Sequence, residues 1–119
     1  MNSPQHDFDA EGGLYAESDR LAELATEALY AEQPALLAMG ARGRAHTVED
    51  FKLHFRALSG LDEKGFREYV GYCVGLFDAR GFPQQWLTDA WRHMALVLER
   101  DLPETMSRPA IQVLTAVVG

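Results

Sequence analysis

The side chains most able to do chemistry in this chain are two of its four histidines and its single cysteine. His54 flanks a helical stripe of Phe51, Phe55 and Leu58, and Asp50 precedes it by one helical turn, within reach of an imidazole nitrogen. Two readings of His54 stand: a polar group at the edge of an apolar pocket, or a core-edge histidine satisfied by Asp50. His93 shares a face with Trp86, Ala90 and Val97 and so is expected to point inward. Two inward imidazoles from separate helices raise haem ligation, but no haem-attachment motif accompanies them, and an axial histidine looks like any buried one. Cys73 lies mid-stripe between Tyr69 and Phe77. It reads either as a small buried hydrophobe or as a thioether attachment point for a tetrapyrrole.

Other chemistries lack their residues. No His-x-x-x-His, Cys-x-x-Cys or Glu-x-x-His pair is present, so no metal site is expected. Gly-x-x-x-x-Gly-Lys, Gly-x-Gly-x-x-Gly and Gly-x-Ser-x-Gly are all missing, which argues against nucleotide-dependent and triad enzymes. The acidic pairs Glu49–Asp50 and Asp62–Glu63 fall where helices start, and there they complement the helix dipole. With no convergent acid, base and nucleophile, the chain is expected not to be an enzyme.

The elements that must carry these residues read as helices throughout. Residues 1–13 hold Pro4, Gly12 and Gly13 and no apolar period, and are expected to form a flexible tail. Leu14, Leu21, Leu24, Ala25 and Ala28 then share one helical face, until Gln33-Pro34 breaks it. One further turn or two is expected from Pro34 to Met39. Ala41–His46 reads as a basic loop, and Thr47 as the start of the helix that ends at Ser59-Gly60. A helix from about Asp62 to Ala79 carries Phe66, Tyr69, Val70, Cys73 and Phe77. Gly71 and Gly75 lie on one face of it, where they suit either close helix packing or the approach of a flat ligand. Gly81 suits a left-handed helix end and Pro83 the first turn of the next helix, which runs to about Arg100. A last helix begins near Ser107 or Pro109 and carries Ile111, Leu114, Thr115 and Val118. The expectation is an all-α domain over 14–119, with five main helices and one short one.

Composition bounds the setting. The chain has 119 residues, 18 acidic against 11 basic, for a net charge of −7. That balance disfavours nucleic acid and anionic membrane surfaces, which require clustered Lys and Arg. One cysteine excludes an internal disulfide. No apolar run approaches a membrane span, and the N-terminus has no secretory h-region, so a cytoplasmic location is expected. The aromatic residues are dense on three neighbouring helices. They form either a core of large residues or a flat apolar pocket with His54, Tyr69, Tyr72 and His93 as its polar groups. In the pocket reading, Arg42 and Arg44 can pair with a ligand carboxylate at the mouth. The apolar end Ala116-Val117-Val118 suits a partner surface.

Three segments, GRAHTVEDFKLHFRALSG, FREYVGYCVGLFDARGFP and WLTDAWRHMALVLERDLP, resemble a globin-like helical sensor domain of bacterial regulators. That type is found before cobalamin-binding domains and is related to bilin-binding and non-haem globin modules. The resemblance rests on Asp50 and His54, on Phe66 and Tyr69, on Arg80-Gly81 before Pro83, and on the closing Leu102-Pro103. Tyr72 stands where such relatives commonly have Trp, and no Asp-x-His-x-x-Gly of the cobalamin type occurs, so cobalamin is not implied. The resemblance implies a globin-like bundle holding a bilin, another tetrapyrrole or a different apolar ligand. The candidate lining is His54, Phe55, Tyr69, Tyr72, Cys73, Trp86 and His93, with Arg42 and Arg44 at the mouth. The alternative is a ligand-free signalling module that forms a homodimer or docks to a regulator.

Overall fold

A computed structural model describes residues 2–119, with side chains described from Gly13 onward. The tail expected over residues 1–13 falls almost wholly outside the described side chains. Five α-helices follow one another: α1 (Asn2–Glu32), α2 (Gly40–Leu58), α3 (Glu63–Arg80), α4 (Gln85–Asp101) and α5 (Glu104–Val118). A short 3-10 helix, Pro34–Met39, joins α1 to α2. No strand occurs among the described residues.

The helix order follows from where apolar side chains repeat. Leu14, Leu21 and Ala25 of α1 are fully buried against α2 and α4, on the face the sequence indicated. Phe51, Phe55 and Leu58 bring the α2 stripe into the same core. Leu87, Trp91, Met94, Val97 and Leu98 bring that of α4. α5 packs on both α3 and α4, burying Ala110 and Leu114. α3 packs mainly on α5, with a thinner contact to α2, and buries only Phe66 and Cys73 fully.

Several boundaries differ from the sequence reading. Ala41–His46 is not a loop, because α2 already starts at Gly40. Gly40 makes the corner, with φ 74° and ψ −174°, a backbone region essentially restricted to glycine. Thr47 therefore sits inside the helix and its hydroxyl donates back to the Gly43 carbonyl at 3.1 Å. α3 begins behind Asp62, whose carboxylate accepts from the Gly65 N–H at 3.1 Å. Its end is as expected, with Gly81 left-handed at φ 69°. α5 starts at Glu104, before the expected Ser107 or Pro109, and includes Pro109 within it. Val117 and Val118 are half-buried on the core rather than exposed. A Cβ built at Gly71 or Gly75 would meet nothing within 4 Å beyond its own helix backbone, so no neighbouring helix packs closely there.

Candidate functional site

One cleft stands out at the junction of α1, the 3-10 helix, α2 and the start of α4, with about 120 Å³ of space. Leu29 and Gln33 form its α1 side, and Leu36 and Met39 of the 3-10 helix form a second wall. α2 contributes Thr47, Asp50, Phe51 and His54, on one face by their spacing of three and four. Trp86, Leu87, Asp89 and Ala90 from the first turns of α4 close the opposite side, with Phe77 from the end of α3. Trp86 and Met39 remain about half exposed, at 49% and 54%, and so place the mouth between them.

His54 is 7% exposed. Its ring is enclosed by Trp91, at 4.8 Å between centroids, with Tyr69 and Phe51 meeting it edge-on at 5.7 and 6.1 Å. Burial among these rings pushes its pKa down to about 4, so the imidazole is neutral near pH 7. The expected partner Asp50 does not hold it, since neither nitrogen has an Asp50 oxygen within ion-pair range. Nδ1 instead lies 2.7 Å from the Tyr69 hydroxyl on α3. Burial raises the Tyr69 pKa, so this phenol keeps its proton. The imidazole lone pair is the strongest acceptor beside it, because the Cys73 thiol next to Tyr69 is a weak one. If Tyr69 donates to Nδ1, the His54 proton resides on Nε2; in the other tautomer Nδ1–H donates to the Tyr69 oxygen.

Nε2 makes no hydrogen bond among the described residues. Nor is it one of the fully enclosed polar atoms without a partner, which are Tyr30 Oη and Arg56 Nε. Nε2 is therefore not fully enclosed, and His54 is one of the residues lining the cleft. Asp50, one turn earlier, also makes no hydrogen bond among the described residues. Although Asp50 as a whole is exposed, crowding by the cleft wall raises its carboxyl pKa, opposed by His46 and reinforced by Glu49.

Of the remaining polar lining, Gln33, Thr47 and Asp89 are paired, while the Trp86 indole N–H makes no hydrogen bond among the described residues. Gln33 Nε2 donates to Asp89 Oδ2 at 3.0 Å, and Gln85 Nε2 to Oδ1 at 3.0 Å. Burial pushes the Asp89 carboxyl up, but donation from Gln85, Gln33 and Arg92 outweighs it and holds the group low. Arg92 also grips Glu32 with both terminal nitrogens, at 2.9 and 2.5 Å.

The expected site residues separate into three groups. His54 and Trp86 line the cleft, and Tyr69 stands behind His54 as its partner. Phe55 and Cys73 are buried in the core away from it, at 0% and 6% exposure. Tyr72, Arg42, Arg44 and His93 lie elsewhere. Tyr72 is 66% exposed on the outer face of α3, Arg42 is exposed, and Arg44 pairs with Glu23 at 3.2 Å, so the arginines do not form the mouth. His93 is 1% exposed and points inward as expected, but it belongs to the α1–α4 clamp. Its Nδ1–H donates to the Asp89 carbonyl at 2.8 Å, and Nε2 is 3.4 Å from Glu32. The two imidazoles do not share one space.

The sequence reading did not anticipate Gln33, Leu36, Met39 or Asp89 in the cleft, nor Trp91 against His54. Leu36 and Met39 were legible only as an apolar pair beside a proline break. Among the described residues no group of three or more His, Cys, Asp or Glu is placed to hold a metal ion. No helix among them is long and apolar enough to cross a membrane. Family models, characterised proteins and solved structures give no match to the chain.

Proposed function

We propose that this chain is a non-catalytic ligand-binding domain of a sensor, holding a small apolar molecule in the cleft between α1, the 3-10 helix, α2 and α4. One observation carries the reading. The cleft is walled by Leu29, Leu36, Phe51, Trp86 and Leu87, yet keeps a nitrogen of the buried His54 and the exposed Asp50 carboxylate without protein partners. Apolar walls with a few convergent polar groups are the usual make-up of a small-molecule site. The volume of about 120 Å³ is near that of an apolar cavity that accepts a single benzene-sized ring. Toluene titrated into the protein should shift the cleft methyl resonances of Leu29, Leu36 and Leu87. Unmoved resonances at saturating toluene would sink the reading.

A bilin or other tetrapyrrole, as the globin-like resemblance implies, needs a site in the range of roughly 300–1,000 Å³. The cleft reaches that size only if the 3-10 helix swings outward. That segment has no buried residue and exposes Leu37 at 65%. Mixing with biliverdin and with haem tests it: a new absorption band supports a tetrapyrrole, and an unchanged spectrum removes it.

The second reading is a ligand-free docking or dimerisation module. The outer face of α3 favours it, where Tyr72 and Val74 are 66% and 43% exposed beside the open Gly71 and Gly75. Sedimentation across a concentration series decides it, since strictly monomeric behaviour leaves this reading without support.

A further inference from the structure

Resting on the cleft being a ligand site, we infer that its ligand is a neutral, ring-sized hydroxyl compound of the phenol class. Its oxygen accepts a hydrogen bond from His54 Nε2–H, and its hydroxyl donates one to the Asp50 carboxylate. The cleft offers six polar side chains, and three of them already bond within the protein. Gln33 and Asp89 bond each other, and Thr47 bonds the Gly43 carbonyl. Three groups make no hydrogen bond among the described residues: the Trp86 indole N–H on α4, and on α2 the His54 Nε2–H donor and the Asp50 acceptor, a single helical turn apart. A hydroxyl group is both donor and acceptor, so it satisfies the α2 pair together. A ketone or ether answers only the imidazole. A hydrocarbon answers neither, and leaves the N–H of His54, itself 7% exposed, desolvated.

Charge and size narrow the class. Asp50 and Asp89 both line the cleft, and no lysine or arginine does, so a carboxylate ligand meets only like charge. The walls are aromatic and aliphatic, and about 120 Å³ fits one ring rather than a fused system. Tyr69 is a positioning residue. By donating to Nδ1 at 2.7 Å it holds the His54 proton on Nε2.

The test compares phenol, toluene and benzoate on the full chain at neutral pH. Phenol and toluene have nearly the same shape, and toluene is the more hydrophobic, so burial alone favours toluene. The expected result is phenol at least about tenfold tighter than toluene, since a site built to pair a hydroxyl penalises the analogue lacking it. Benzoate should be the weakest of the three. Toluene equal to or tighter than phenol overturns this inference and leaves the cleft reading intact. Failure of all three overturns both. Asp50→Leu, at an exposed residue, should lower the phenol-to-toluene affinity ratio to about what burial alone gives. Tyr69→Phe should lower the phenol-to-toluene ratio in the same way, whereas a purely structural loss lowers both affinities. Imidazole nitrogen NMR of the wild-type protein gives a readout that needs no variant. The proton on Nε2 is expected, and a proton on Nδ1 overturns the assignment.

Discussion

The Tyr69 hydroxyl and His54 Nδ1 meet at 2.7 Å across the boundary between α3 and α2. The contact between those two helices is otherwise thin, because α3 rests mainly on α5. The pair thus does two things: it ties α3 to the wall of the cleft, and it fixes which edge of the imidazole the cleft sees. Tyr69→Phe keeps the ring and its stacking on Phe66 but removes the hydroxyl. His54 Nδ1 is then left buried without a partner, and the expected loss is about 1–3 kcal/mol. Urea denaturation monitored by tryptophan fluorescence measures it; a loss below a few tenths of a kcal/mol would mean that the bond contributes nothing net.

Much of the architecture can be read in the sequence, because it depends on periodicity and punctuation. The Leu14–Leu21–Ala25 and Phe51–Phe55–Leu58 faces are buried where their spacing put them, and Gly81 ends α3 left-handed. The failures arise where tertiary contact overrides local preference. Gly43 made 41–46 look like a loop, yet a Cβ there would lie 2.6 Å from Met39 Cβ, so the glycine serves close packing inside a helix. Gly71 and Gly75 carry the same local signal and meet nothing. The type of residue at those positions does not report whether a neighbour exists. Trp86 follows the inward period of α4, but it lies in the first turn, past the end of the core, and is half exposed. The His54–Tyr69 pairing joins residues on two separate stripes, and nothing within either stripe encodes that they meet.

Acid should destabilise the protein through His54. Its pKa is about 4 in the fold against 6.5 for the free side chain, because burial disfavours the charged form. Between those values the unfolded chain binds more protons than the native one, so stability falls as pH falls from 6.5 toward 4 and the effect levels off below that. The full contribution is up to about 3 kcal/mol. Asp50 works in the opposite sense, since its raised pKa favours the protonated native form. Glu32, lowered chiefly by Arg92, and Asp89, lowered against its burial by Gln85, Gln33 and Arg92, add their own loss as pH falls through the ordinary carboxylate range and below. A urea series at half-unit pH intervals should show the drop, and His54→Phe should flatten it between pH 6.5 and 4. An unchanged slope in that variant would place the proton uptake elsewhere.

Gly40→Ala isolates backbone strain from crowding. No atom lies within 4 Å of a Cβ built there, so the cost is that of holding φ 74° and ψ −174° with a side chain present. The expected destabilisation is about 1–3 kcal/mol. Gly60→Ala is the control, since that position is equally open and has no positive φ. Replacing Gly60 should change stability little, or raise it slightly by restricting the unfolded chain. Equal effects at the two positions would show that the corner between the 3-10 helix and α2 is not strained. Because that corner sets the wall carrying Leu36 and Met39, Gly40→Ala should also weaken toluene binding more than its effect on stability accounts for.

Trp86 separates stability from binding most cleanly. It is 49% exposed, and its contacts are the rings of Phe82 at 5.5 Å and Phe77 at 6.4 Å rather than the central core. Trp86→Ala should therefore cost only about 1 kcal/mol, the centre of the range for single substitutions. Phe66→Ala, at 1% exposure, should cost about 3–5 kcal/mol. For binding the order reverses. Trp86 forms one side of the cleft mouth, and removing it opens the site to water, so toluene affinity should fall about tenfold. Phe66 does not line the cleft, and a Phe66→Ala protein that stays folded should bind toluene within about threefold of wild type once the measurement is made well below its unfolding transition. Isothermal titration of both variants measures this contrast. Equal affinity losses would mean that toluene occupies some space other than the cleft beneath Trp86.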